Sequence, residues 1–215
     1  MTVVDLRREK PHLARIFLSN GSDFAIDFDL ACETPVKKGS ELSEADVSRL
    51  IESSDELRAK SRALWYLDRG DRTEKELYTK LIKAGFNKTA CEKVLIRLNE
   101  LGLTDDRRYA LRFCETAASK GLSRRAISEK LYLKGIPKDI ISDTLSELEV
   151  DEDEQIKALI QKKYARILGD GSDAKQTEKV YAALIRRGFS FSCVRNALKS
   201  YSEELKSING EDFDV

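Results

Sequence analysis

A chain of 215 residues, 41% hydrophobic and 35% charged, has room for one or two domains and the composition of a protein rich in solvated helix faces. It holds no run of about 18 apolar residues, and residues 1–10 (MTVVDLRREK) lack the apolar core of a signal peptide, so neither a membrane span nor export is expected and the cytoplasm is. The 38 basic and 38 acidic side chains cancel but are unevenly placed: residues 58–138 carry 20 Lys/Arg against 10 Asp/Glu, and residues 139–155 carry none against 8. Such blocks suit a partner surface or ordinary solvated helices.

In chain order, HLARIFLSNGSDFAIDFDL (12–30) alternates apolar and polar residues about an Asn20-Gly21 turn signal and predicts a β-hairpin. A three-residue Asn20-Gly21-Ser22 loop would set Leu18 opposite Phe24 and Ile16 opposite Ile26, giving one apolar face. A lone hairpin is marginal in water, so a further strand near Thr34–Lys38 and the following helix are expected to cover it. Ser43 with Asp46 reads as a capping box opening a short helix, and Ser53 with Glu56 as a second box opening a longer one to Arg69. Leu57, Leu64 and Leu67 mark that helix's expected inner face. Trp65 and Tyr66 lie beside this stripe and are read as packing residues rather than nucleobase-stacking platforms.

Beyond Gly70 the chain repeats. With Gly85, Gly135 and Gly188 as origins, Leu81, Leu131 and Leu184 stand four residues before, and Leu77, Ile127 and Val180 eight before. Cys91, Ile141 and Val194 stand six after; Leu98, Leu148 and Tyr201 thirteen after. These are helix-face spacings met three times, each unit an amphipathic helix ended by a left-handed glycine and followed by another. The predicted helices run from about Glu74 to Ala84, Lys88 to Leu101, Thr104 or Asp105 to Lys120, Ser123 to Lys134, Pro137 (first turn) to Leu148, and onward from the acidic run Asp151–Glu154. Gly169–Ser172 reads as a flexible joint, and the last ten residues, acidic and poor in core residues, as frayed. The resulting division is 1–52 (hairpin plus short helix), 53–102, 103–150 and 151–204 (helical repeats 1, 2 and 3) and 205–215 (acidic tail).

His12 is the only histidine, so a His-based nucleophile pair or a zinc site is not expected, and no phosphate-binding glycine motif is present. Cys32, Cys91, Cys114 and Cys193 lack CxxC spacing and are read as buried reduced thiols. Asp105 and Asp106 open a helix, which explains them as capping groups. No catalytic residues, metal or cofactors are assigned, and an enzyme is not expected. What remains is a set of cations at helix joints: Arg69, Arg72, Arg107, Arg108, Arg112, Arg124, Arg125 and Lys134. Guanidiniums grip carboxylates and phosphates in two-point geometry. The alternative is pairing within the chain to Asp68, Asp71, Asp105 and Asp106.

The runs ALWYLDRGDRTEKELYTKLIKAGF, LNELGLTDDRRYALRF and KGLSRRAISEKLYLKGI carry the pairing of an E-L-x-x-K-L-x-x-x-G-[FI] helix end with an L-x-D-D-x-R-[FY]-A segment. In these the chain resembles the RecX family of bacterial recombinase regulators over residues 58–201, and its amino-terminal part resembles the longer members with a strand-rich segment before the repeats. The resemblance implies a mainly α protein of three tandem three-helix repeats forming an elongated curved body with a small amino-terminal β-hairpin region. It further implies binding within the groove of the RecA filament on single-stranded DNA, to inhibit or tune recombination and the SOS response; a monomer without enzymatic activity is expected. Contact with DNA alone is expected to be weak. The chain departs from the family in reading ETAAS (Glu115–Ser119) before Lys120, where relatives often carry a basic cluster. A helical DNA-binding protein using helix-turn-helix-like units, or a solenoid scaffold for another protein, are the alternatives.

Overall fold

The computed structural model describes residues 1–169 and 173–210. The chain divides into two compact units, Met1–Asp105 and Asp106–Val215.

The first unit opens with an antiparallel sheet ordered β1 (Val3–Lys10), β2 (Leu13–Leu18), β3 (Asp23–Asp27). The hairpin forms with a loop of Ser19, Asn20 and Gly21: Leu18 accepts from the Gly21 N–H at 3.0 Å and donates to the Ser22 carbonyl at 2.9 Å. Gly21 stands at φ +85°, the left-handed residue that closes a three-residue loop. Ile16 therefore faces Phe24, and Ala14 faces Ile26, two residues from the expected register. A slip of two preserves the alternation, so Ile16, Leu18, Phe24 and Ile26 still share one buried face.

The third strand is β1, not Thr34–Lys38. Residues 28–30, expected to extend the strand, instead begin α1 (Phe28–Glu33), because the Asp27 carboxylate accepts from the Asp29 and Leu30 N–H groups and starts a helix. The chain does return to the sheet edge slightly later: Gly39 donates to Val3 and Val3 to Ser40, with an isolated bridge between Thr2 and Glu41.

The two helices expected after Ser43 are one, α2 (Glu44–Asp68), opened by the Ser43–Asp46 capping box. Hydrogen bonds from Ser43 hold the Asp46 carboxyl below the usual carboxylate range. The helix continues past Ser53, and the neighbouring Ser54 is buried, its hydroxyl accepting the Asp27 N–H at 2.7 Å. That bond ties α2 to the end of β3. The first half of α2 packs Val47 and Leu50 onto the sheet core, and its second half supplies Ala59 and Ala63 to the first repeat. The inner stripe is thus built on alanines, while Leu57 and Leu64 are exposed and Leu67 is half-buried. Small residues let α3 (Glu74–Lys83, with a Thr73–Glu76 capping box) and α4 (Lys88–Glu100) close over α2 around Leu81, Cys91, Val94 and Leu98.

The second unit holds the other two repeats. α5 (Asp106–Ser119), α6 (Arg124–Leu133) and α7 (Lys138–Glu147) enclose Ala110, Cys114, Ile127, Leu131 and Ile141. Pro137 stands at the N-cap of α7 rather than in its first turn. α8 (Glu152–Leu159) runs into a π-helical turn, Ile160–Tyr164, and packs with α9 (Ala174–Arg186) and α10 (Phe191–Gly210) around Ile156, Ile160, Val180, Leu184 and Val194. The equivalent pairs Leu77/Leu81, Ile127/Leu131 and Val180/Leu184 are all buried. Residues 170–172 of the expected joint lie outside the described residues. α10 is helical as far as Gly210, beyond the point where fraying was expected, and residues 211–215 of the expected tail also lie outside.

Within this unit the second and third repeats interlock. Ser123 caps α6 by accepting from the Ala126 N–H at 3.2 Å, and its own N–H donates to the Arg187 carbonyl. Arg187 in turn donates to the Lys120 carbonyl at 2.6 Å, and the Gln155 amide to that of Ala118 at 2.7 Å. Carbonyls at the end of α5 and just beyond it are thus met by side chains of the next repeat.

Candidate partner-binding surface

The eight cations singled out in the sequence fall into different environments. In the first unit Arg69 is the C-cap of α2; its guanidinium donates to the Trp65 carbonyl at 3.1 Å and lies 3.5 Å from the centre of the Trp65 ring. Arg72 is half-buried, donates to the Asp71 carbonyl at 3.0 Å, and has a buried Nε without a partner. In the second unit Arg107 bridges α5 to the end of α7 through Glu147 at 2.7 Å. Arg108 and Arg112 are exposed on α5 at i, i+4 spacing, and each has interactions within the chain. Lys134, the C-cap of α6, sits over the Tyr109 ring at 5.3 Å and that of Phe113 at 6.0 Å, joining α6 to the half-buried aromatic edge of α5.

Arg124 and Arg125 differ sharply although adjacent. Arg125 is exposed and its only ion pair among the described residues is the i, i+4 contact with Glu129 at 3.1 Å. Arg124 points inward along the chain: its guanidinium donates to the Leu148 carbonyl at 2.6 Å and the Val150 carbonyl at 3.3 Å, while its N–H donates to Glu152 at 2.8 Å. It caps the exit of α7, at a helix joint as expected, and is held there by pairing within the chain, to backbone carbonyls rather than to the aspartates considered from the sequence. Arg124, Tyr132 and Lys138 also border a groove between α6 and α7 floored by Ile141 and Leu145.

Trp65 lies outside the repeat core, whereas Tyr66, read with it as a packing residue, is half-buried against that core. The indole is 43% exposed, with Tyr66 edge-on at 5.2 Å and Arg62 at 5.2 Å from its centre. Arg58, Arg62, Trp65 and Arg69 succeed one another at intervals of four, three and four residues and so share one face of α2. That spacing was available in the sequence; what hid it was the assumption that leucines rather than alanines line the inner side. His12 is exposed at the start of β2. Burial raises the Cys91 thiol and pushes that of Cys114 up to about 11, whereas Cys32 is exposed and so departs from the buried setting expected of it. Among the described residues no helix is long and apolar enough to cross a membrane.

Family models match the chain in three consecutive places: RecX, first three-helix domain, over residues 59–98; second, over 105–145; third, over 151–198. Relatives named regulatory protein RecX include one from Clostridium perfringens strain SM101, 25% identical over 93% of this chain and 94% of its own length. One from Clostridioides difficile strain 630 is 25% identical over 100% of this chain and 99% of its own, and one from Lactococcus lactis 34% identical over 80% and 66%. A crystal structure of regulatory protein RecX superposes with a TM-score of 0.64 at 25% identity, covering 93% of this chain and 98% of that one. The structure of RecX from Lactobacillus salivarius gives 0.59 at 25% identity, covering 72% and 98%. With three family models spanning more than half of its residues in the order of its three helical repeats, the chain belongs to the RecX family.

Proposed function

We propose that this protein is a non-enzymatic regulator of RecA that binds the RecA filament on single-stranded DNA as a monomer and lowers its ATPase and strand-exchange activity, and with them recombination and SOS signalling. The observation that carries the reading is the run of three RecX-type repeats in family order. The charge pattern supports it. Residues 139–155 present acidic groups between basic stretches, and a filament is a row of identical protomers, against which alternating charge sets register and association rate more than affinity. The exposed cations Arg107, Arg108, Arg112 and Arg125 are the regulatory contacts we assign in the second unit, and Arg69 in the first; each can be reversed without opening an apolar core.

The test is the RecA ATPase and strand exchange on single-stranded DNA with purified protein added. Inhibition that grows with protein concentration and is weakened by Arg125→Glu, while circular dichroism stays unchanged, is the expected result. Tight, sequence-specific binding to free DNA with RecA indifferent to the protein would sink the reading in favour of a DNA-binding protein.

A further inference from the structure

We propose that the Arg58–Arg62–Trp65–Arg69 face of α2 is a binding site for single-stranded nucleic acid, in which an unpaired base stacks on Trp65 and the guanidiniums of Arg62 and Arg69 hold the flanking phosphates. The inference goes beyond regulation of RecA and does not require it.

An aromatic ring of this size ordinarily goes to the core or an interface, yet Trp65 is 43% exposed on a helix whose core side is occupied by Ala59 and Ala63. It is also pre-positioned. Tyr66 meets its edge at 74° between planes, and Arg69 is held against it twice, by the 3.1 Å bond to the Trp65 carbonyl and by the 3.5 Å approach to the ring. A guanidinium has five N–H donors, so the bond to one carbonyl leaves others for an anion. Arg62 makes no ion pair among the described residues and packs more loosely, 5.2 Å from the Trp65 ring and 6.0 Å from that of Tyr66. Lys80 adds a further cation 5.1 Å from the Tyr66 ring.

From Arg58 to Arg69 the face extends about 16 Å at 1.5 Å per residue, enough to track a short strand. Acidic side chains stand towards both ends: Asp27 and Asp29 line the depression beside Arg58, Arg62 and Trp65, Asp55 is 3.7 Å from Arg58, and Asp68 and Asp71 lie within two residues of Arg69 in sequence. Arg62, which none of the described carboxylates pairs, is the cation from which phosphate contact is expected first, with the remaining Arg69 donors beside it. An aromatic ring flanked by cations is the chemistry by which proteins hold single strands without reading sequence, because every base offers a π-face. Paired bases inside a duplex do not offer that face, and an acidic polypeptide would use the arginines but not the indole.

Trp65 is the only tryptophan in the chain, so its emission reports this site alone. The full chain is titrated with an oligothymidylate at low salt while Trp65 emission and the anisotropy of a labelled strand are followed together. Saturable quenching that tracks the anisotropy is expected, with far less quenching by an abasic strand of equal length, by a blunt duplex or by polyglutamate. Trp65→Ala should weaken binding roughly ten-fold, with Trp65→Phe retaining most of it, as expected for loss of one stacked base. Arg62→Ala should make the salt dependence shallower by about 0.7 in log–log slope, the value for one phosphate contact on a single strand. Circular dichroism of each variant checks the fold. Strand binding that leaves Trp65 emission unmoved, equal quenching by polyglutamate or duplex, or a folded Trp65→Ala variant with parental affinity would each overturn the proposal. RecA inhibition measured on the same preparations separates that outcome from failure of the filament reading.

Discussion

Gly85 and Gly188 hold the same place in the first and third repeats, each ending a helix at φ +91° before an aromatic residue, yet their surroundings are opposite. A Cβ on Gly85 would meet nothing within 4 Å. One on Gly188 would lie 2.5 Å from the Ser123 hydroxyl, 2.6 Å from the Ala126 Cβ and 3.0 Å from the Ala126 backbone nitrogen. The first glycine is there for its backbone conformation alone. The second serves that need and also lets the third repeat press against the start of α6. Gly121 shows the same double demand, with Leu159 2.6 Å from its would-be Cβ, though a leucine side-chain end can give way more readily than backbone. Repetition in sequence therefore does not mean equivalence in structure: the same residue is a local cap in one repeat and a packing surface in another.

Alanine at the two positions measures the difference. The left-handed conformation costs a non-glycine residue about 1–2 kcal/mol, so Gly85→Ala should lose about that much. Gly188→Ala should lose about 2–5 kcal/mol, because overpacking against backbone adds about 1–3 kcal/mol to the same strain. Chemical denaturation of both variants checks this, and equal losses would show that the third repeat does not depend on its close approach to α6.

A smaller contrast separates Arg124 from Arg125. Arg124→Glu removes the donors to the Leu148 and Val150 carbonyls and sets a carboxylate near Glu152, for an expected loss of about 1–3 kcal/mol. Arg125→Glu disturbs one exposed helix pair and should stay within about 0.5 kcal/mol of the parent. A paired reversal of both would mix a folding defect with any loss of partner binding, so Arg125 alone is the informative variant. If Arg124→Glu melts with the parent, the capping role assigned to it is wrong.

A condition rather than a substitution gives the last test, through the dependence of stability on pH. Burial, reinforced by the neighbouring Glu115 carboxylate, raises the Cys114 thiol from 9.0 to about 11 in the folded protein. Between those values the unfolded chain gives up the proton and the folded chain keeps it, so the contribution is complete below pH 9 and is lost as pH rises towards 11. The loss from Cys114 should stay below about 3 kcal/mol, with Cys91 shifted in the same direction. Urea midpoints at pH 8 and pH 10.5 for the parent and Cys114→Ala provide the measurement. Identical declines would place the alkaline sensitivity elsewhere.

The residues by themselves determined the helical repeats, because the apolar period, the capping residues and the terminal glycines are local signals that agree with one another: Thr73 and Ser123 cap where expected, and Leu77, Leu81, Ile127 and Leu131 are all buried. They also carried the hairpin and the family likeness. Strand β1 was illegible because a register irregularity between Val3 and Asp5 places Val3 and Leu6 opposite Leu18 and Ile16, three residues apart, and so breaks the two-residue alternation. Which side of α2 faces inward was decided only by packing. A helix can present leucines or alanines to its neighbours, and close approach of α3 and α4 selected Ala59 and Ala63, leaving Leu57, Leu64 and Trp65 outside. The surroundings of the basic residues were decided in the same way. Composition placed Arg124 and Arg125 together at a helix start, but only the path of the chain from Leu148 to Glu152 turned one guanidinium towards backbone carbonyls and left the other in water. Periodicity is a property of neighbours along the chain, whereas the partner of a long cationic side chain depends on what the fold brings within its reach.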